Sequence, residues 1–147
     1  MVSRRSLVLF GLALPLLGTQ FALAQSGRLN PNKASAAQLA GVAGLGSNLA
    51  KAIVAQRPFA TMVEFDKLVR QVLGQREAEA LYEQLFIPIN LNSASRSEIA
   101  LIPGMSSRMV REFLEYRPYA DIEVFNREIG KYVDDAEVAR LRSYVTL

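Results

Sequence analysis

The sequence predicts an all-α protein: a small helical bundle assembled from two tandem copies of one unit. Three observations predict it. The chain repeats itself without a gap at an offset of 60 residues: Asn30 falls on Asn90, Asn32 on Asn92, Ala34-Ser35 on Ala94-Ser95, Gly44 on Gly104, Arg57-Pro58 on Arg117-Pro118 and Phe65 on Phe125. A repeat of this period is the mark of a duplicated supersecondary unit. Apolar residues recur at three- and four-residue spacing behind side-chain capping signals, and no stretch alternates long enough to read as a strand. Each copy also contains a tight glycine turn between two helical patterns. The copies span 28–87 and 88–147.

Each copy reads as one helix after another. Ser35-x-x-Gln38 and Ser95-x-x-Glu98 are capping boxes that start a short first helix. It stops at Gly44 in the first copy and at Pro103-Gly104 in the second. A second helix is predicted from about Ser47 to Gln56 and from about Ser107 to Tyr116. Leu49, Ala50, Ile53 and Val54 form one face, repeated by Met109, Val110, Phe113 and Leu114. Pro58 and Pro118 end these helices, because the residue before proline avoids helical angles. A third helix starts at the capping box Thr61-x-x-Glu64, and at Asp121. A fourth runs from about Gln75 to Leu85 and from Asp135 to Tyr144, capped by Asp134 in the second copy. The apolar link Phe86-Ile87-Pro88-Ile89 is too short to separate two domains, so the copies are expected to touch. One helical pair cannot cover its own apolar face, and two packed together can.

Composition narrows the chemistry. The 147 residues include no Cys and no His. A disulfide framework is therefore excluded, and so are zinc held by thiolate or imidazole and a Cys or His nucleophile. No paired arrangement of carboxylate, Ser and Lys stands out from the charged surface. The expectation is a protein without catalysis, metal or cofactor. Residues 1–24 resemble an export signal, with Arg4 and Arg5, an apolar run from Leu7 to about Leu23, and the small-x-small site Ala22-Leu23-Ala24. Ser3-Arg4-Arg5-Ser6-Leu7 also fits a twin-arginine route. If uncleaved, the run approaches the length of a membrane anchor; otherwise the mature chain is expected in the periplasm or outside the cell. Subtracting Arg4 and Arg5 from 17 basic residues leaves 15 against 14 acidic, a net charge of +1. Residues 28–87 carry +2 and residues 88–147 carry −1.

The turn Ala43-Gly44-Leu45-Gly46-Ser47-Asn48 has chemistry of its own. Two glycines bracket one apolar residue, and a helical pattern follows at once. Glycine reaches positive φ without a Cβ penalty, so the turn leaves free N–H groups at a helix start. Such a terminus binds anions. Closing a helical hairpin is the simpler role for Gly44 and Gly46, and the residues alone do not choose between the two.

The pattern Asn30-x-Asn32-x-Ala34-Ser35-x-x-x-Leu39, then Gly44-Leu45-Gly46-x-x-x-Ala50-x-x-Ile53, then Arg57-Pro58-Phe59, resembles the helix-hairpin-helix family. It is most similar to the exported type found in bacterial competence DNA receptors (ComEA-like). The second copy matches through Asn90-x-Asn92-Ser93-Ala94-Ser95-x-x-Glu98-Ile99 and Glu115-Tyr116-Arg117. The resemblance implies two tandem helix-hairpin-helix repeats in a SAM/HhH-like bundle, and sequence-independent DNA binding through hairpin amides, possibly in DNA uptake. Carried over, the phosphate-contacting positions are Gly44, Leu45, Gly46, Asn48 and Lys51, and in the second copy Gly104, Met105, Ser106, Arg108 and Arg111. Leu49 and Met109 stand where many DNA-binding members place Lys or Arg, and Ser106 replaces the second glycine of the second hairpin. The same features resemble the small extrinsic luminal subunit of photosystem II, a protein-binding stabiliser. A protein-interaction or scaffold module of an envelope or membrane complex is therefore the alternative expectation.

Overall fold

The computed structural model describes residues 27–147; the proposed export signal lies outside them. The described chain is an all-α bundle of eight short helices with two very short strands. The first copy contributes α1 (Ala36–Ala40), α2 (Ser47–Gln56), α3 (Met62–Val69) and α4 (Gln75–Tyr82). The second contributes β1 (Ile89–Asn90), α5 (Arg96–Ala100), α6 (Ser107–Glu115), α7 (Ile122–Ile129), α8 (Asp135–Arg142) and β2 (Val145–Thr146).

Helix starts follow the capping chemistry. Ser35 accepts from Gln38 N while the Gln38 side chain accepts from Ser35 N, and Ser95 and Glu98 do the same. These reciprocal bonds satisfy two of the amides that a helix start leaves unpaired. The third helix differs in detail. Thr61 Oγ1 accepts from Glu64 N, but the Glu64 carboxylate reaches past the cap to Ala60 N at 2.8 Å. Helices α4 and α8 stop three and two residues short of the expected ends, at Tyr82 and Arg142.

Those shortened ends free the backbone for a contact that no periodicity announced. Leu29 N donates to Gln84 O and Phe86 N donates to Leu29 O, both at 2.9 Å. Sixty residues on, β1 and β2 pair in parallel, with Ile89 opposite Val145 and Asn90 opposite Thr146. Each copy is thus closed by its own entry segment lying beside its exit. Two-residue strands are too short to show alternation, which is why the sequence reads as helix alone.

The entry asparagines tie the same entry segments to the middle of each copy. Asn32 Nδ2 donates to Phe59 O at 2.9 Å and Asn32 Oδ1 accepts from Phe59 N at 2.8 Å; Asn92 grips Tyr119 in the same way. Arg57 donates to Ala34 O, and Arg117 donates to Leu91 O and Ala94 O. The segments after α2 and α6 therefore anchor each copy, with Phe59 and Tyr119 buried beneath them. The peptide bonds Arg57–Pro58 and Arg117–Pro118 are cis.

One continuous apolar core runs through both copies. An aromatic series passes from Phe59 through Phe65, Tyr82 and Phe86 to Tyr144, and the last pair, one residue from each copy, stacks edge to face at 4.9 Å. Arg28 lies over the Tyr144 ring, 3.3 Å from its centroid, and donates to Glu83 O and to Ser143. Burial among these groups lowers the pKa of its guanidinium. The copies touch, as the short link between them requires.

Candidate functional site

The first hairpin joins α1 to α2 through Gly41–Gly46. Leu45 is buried and its N–H donates to Val42 O at 3.3 Å, so the apolar residue between the glycines pins the turn to the core. Gly44 sits at φ 79° and Gly46 at φ 73°. With ψ at 153°, Gly46 occupies a region that is essentially glycine-only. A Cβ at either glycine would meet nothing within 4 Å. Backbone geometry, and not crowding, thus demands glycine here, and the outer side of the turn is open.

The start of α2 has no side-chain cap. Among the described residues, no protein group accepts from the N–H of Gly44, Gly46, Ser47, Asn48 or Leu49. Several oriented amides at the positive end of a ten-residue helix therefore face outward without an acceptor. Asn48 and Lys51 are exposed on the first and second turns of α2, and neither is bonded to another described side chain. The far side of the turn is held by Gln84, whose amide accepts from Ala43 N at 3.2 Å and donates to Ala43 O.

The second hairpin has the same trace but different occupancy. Gly104 keeps φ 73°, and Met105 N donates to Ile102 O at 3.1 Å. Ser106 replaces the second glycine and caps α6 itself, its Oγ accepting from Met109 N at 3.1 Å. Gly104 N donates to the Glu79 carboxylate of α4 at 3.1 Å. One of the amides that the resemblance assigned to phosphate, Gly104 N, is therefore engaged by a side chain of the protein, and the Ser106 cap takes the amide of Met109, one residue past Arg108.

The cations of the second hairpin divide similarly. Arg108 faces Glu112 at 3.9 Å and lies 5.2 Å from the centroid of the Tyr132 ring, whereas Arg111 is exposed and has no ion pair among the described residues. The Tyr132 hydroxyl shares a 2.8 Å hydrogen bond with that of Tyr116, and this bond raises the Tyr132 pKa. At the start of α8, Asp134 accepts from Glu137 N at 2.8 Å, so that helix terminus is also filled by an internal acid.

The structure thus gathers Gly44, Leu45, Gly46, Asn48 and Lys51 into one open turn. It places Gly104, Met105, Ser106, Arg108 and Arg111 at a turn that is partly closed. Sequence reasoning missed Glu79 and Gln84, which lie on or just after α4 and reach the two hairpins across long sequence separations. Neither carries a local signal; each looks like one more polar residue on an exposed helix face.

Beside the first hairpin lies a groove of about 480 Å³ between α1 and α2, lined chiefly by Ala36, Leu39, Ala40, Ala50 and Val54, with Ser47 and Lys51 at one end. Val54 is exposed within it. Among the described residues, no cluster of acidic side chains could hold a metal ion. No described helix is long and apolar enough to cross a membrane.

Residues 25–85 match the family model of the helix-hairpin-helix motif. That span takes in α1 to α4 and the open glycine turn. The motif points to nucleic-acid binding in general, and a helix start of unfilled amides is compatible with a partner recognised through phosphate alone. No curated protein and no solved structure matches the chain.

Proposed function

We propose that the protein binds DNA without sequence preference, through backbone phosphates received at the first hairpin. The observation that carries this reading is the set of unfilled amides at Gly44, Gly46, Ser47 and Asn48, with Lys51 one turn further on. Such a site reads charge and backbone geometry, not base edges, because nothing in it reaches a base. Lys51 adds a counterion-releasing contact. A net charge near +1 for the mature chain supports weak rather than tight association.

The apolar segment ending at Ala24 supports an exported protein, so the setting we propose is the periplasm or the cell exterior, in the manner of the ComEA-like receptors that take up DNA. We infer a binding role without catalysis. The test is fluorescence anisotropy of a labelled mixed-sequence duplex at two salt concentrations, repeated with an unrelated sequence of equal length. Affinity should fall steeply with salt and be the same for both sequences; absence of binding at low salt refutes the reading.

The groove beside Val54 favours a second reading, a protein-interaction or scaffold module like the small photosystem II subunit. An apolar face of this kind suits a partner helix. Lack of DNA binding at low salt would leave that reading standing.

A further inference from the structure

The two hairpins share a fold but not an environment, and the difference follows from tandem order. The second hairpin packs against the end of the copy that precedes it. Residues from α3 and α4 of the first copy and from α5 and its following turn line one cleft between the copies, including Asp66, Arg70, Glu79, Ile102 and Met105. From this wall Glu79 reaches Gly104 N. Among the described residues, no acidic side chain reaches Gly44 or Gly46.

We propose that the Glu79 carboxylate is a tethered competitor for phosphate at the second hairpin, so that the resting protein offers nucleic acid a full set of turn amides at the first hairpin and a depleted set at the second. This rests on the reading that a hairpin of this geometry takes phosphate. A carboxylate oxygen on a turn amide makes the contact a phosphate oxygen would make. Fixed on a neighbouring helix, it acts at an effective concentration on the order of millimolar, enough to exclude a weak single-phosphate contact. Ser106 reinforces the exclusion by accepting from Met109 N. The Arg140 guanidinium lies 3.6 Å from where a Cβ on Gly104 would stand and is held by a two-point pair with Glu137. Once Glu79 leaves, the Gly104 amide is without an acceptor, and Arg111 is exposed on the following helix.

The experiment compares the purified chain with Glu79→Ala, and adds Arg111→Ala in both backgrounds. Glu83→Ala, whose carboxylate makes no hydrogen bond to either hairpin, controls for loss of one negative charge. Binding of a labelled mixed-sequence duplex is read as affinity and as its salt slope. Glu79→Ala is expected to tighten binding by about 3- to 10-fold beyond Glu83→Ala and to steepen the slope by about one phosphate contact. Arg111→Ala should weaken the Glu79→Ala variant while leaving the parent nearly unchanged. The proposal is overturned if Glu79→Ala behaves like Glu83→Ala, or if Arg111→Ala weakens the parent equally. Binding by Glu79→Ala with none by the parent would overturn the first-hairpin reading and support this one. Silence from both would overturn this one as well.

Discussion

Replacing Gly46 by alanine tests the turn on which the functional reading depends. Gly46 holds φ 73° and ψ 153°, a combination that costs an L-residue about 1–3 kcal/mol. The new methyl meets nothing within 4 Å, so no steric term adds to the backbone cost. Against it stands the lower entropy of alanine in the unfolded chain, about 0.4–1 kcal/mol. The net destabilisation is about 1–2 kcal/mol, or roughly 4–8 °C in Tm for a domain of this size. Gly41→Ala is the internal control. Its φ of −84° and ψ of −5° are ordinary helical values, and its methyl would sit 3.5 Å from Gln38 O, so the same substitution there should be neutral or stabilising. Thermal unfolding followed by circular dichroism reads the turn. Duplex affinity, measured well below both midpoints, reads the amides. Gly46→Ala with an unchanged midpoint would show that the turn does not require glycine and that the amides are not held in place by its backbone geometry.

Further outcomes are expected elsewhere. Lys51→Ala should leave the midpoint within experimental scatter and lower the salt slope of duplex binding by about one, across all sequences equally. Asn32→Ala removes both bonds to the Phe59 backbone and leaves that N–H and C=O unpaired, for a loss of about 2–4 kcal/mol in chemical denaturation. Ser106→Ala removes the α6 cap and should cost about 1 kcal/mol. Glu137 has its pKa lowered by the hydrogen bond from Arg140, so it stabilises the fold above the ordinary carboxylate pKa and loses that effect as pH falls through its lowered value. Glu137→Gln should therefore reduce stability at neutral pH and flatten the acid limb of a stability profile below about pH 4.

Much of the bundle was legible because its signals are local. The capping residues Ser35, Ser95, Thr61 and Asp121 lie within three residues of the amides they satisfy, and the structure uses all four. The glycines of the first hairpin were legible for the same reason, since positive φ is a property of the residue itself. What was not legible is non-local. The pairing of Leu29 with Leu85 spans the whole first copy, and its strands are too short to imprint a period. Glu79 lies 25 residues from Gly104 and on a different element. In a helix-period pattern it is indistinguishable from Glu83, which makes no such contact.

A perfect repeat would place two equal anion sites in one molecule, and the departures from that repeat are concentrated where they change this. Gly46 becomes Ser106, which converts an empty helix start into a self-capped one. Gly74 at the start of α4 aligns with Asp134 at the start of α8, which again fills a helix terminus with an internal acceptor. The net charge shifts from +2 to −1 between the copies. Each change lowers the attraction of the second copy for phosphate while preserving its core, since Leu49 and Ile53 have buried counterparts or near counterparts in Met109 and Phe113. The second copy also packs against the first, with Tyr144 edge to face on Phe86 at 4.9 Å, and on the proposed reading its main contribution is to stability. If that division holds, substitutions in the core of the second copy should lower stability without altering the salt slope of binding. Substitutions at the first hairpin should alter that slope in the folded state.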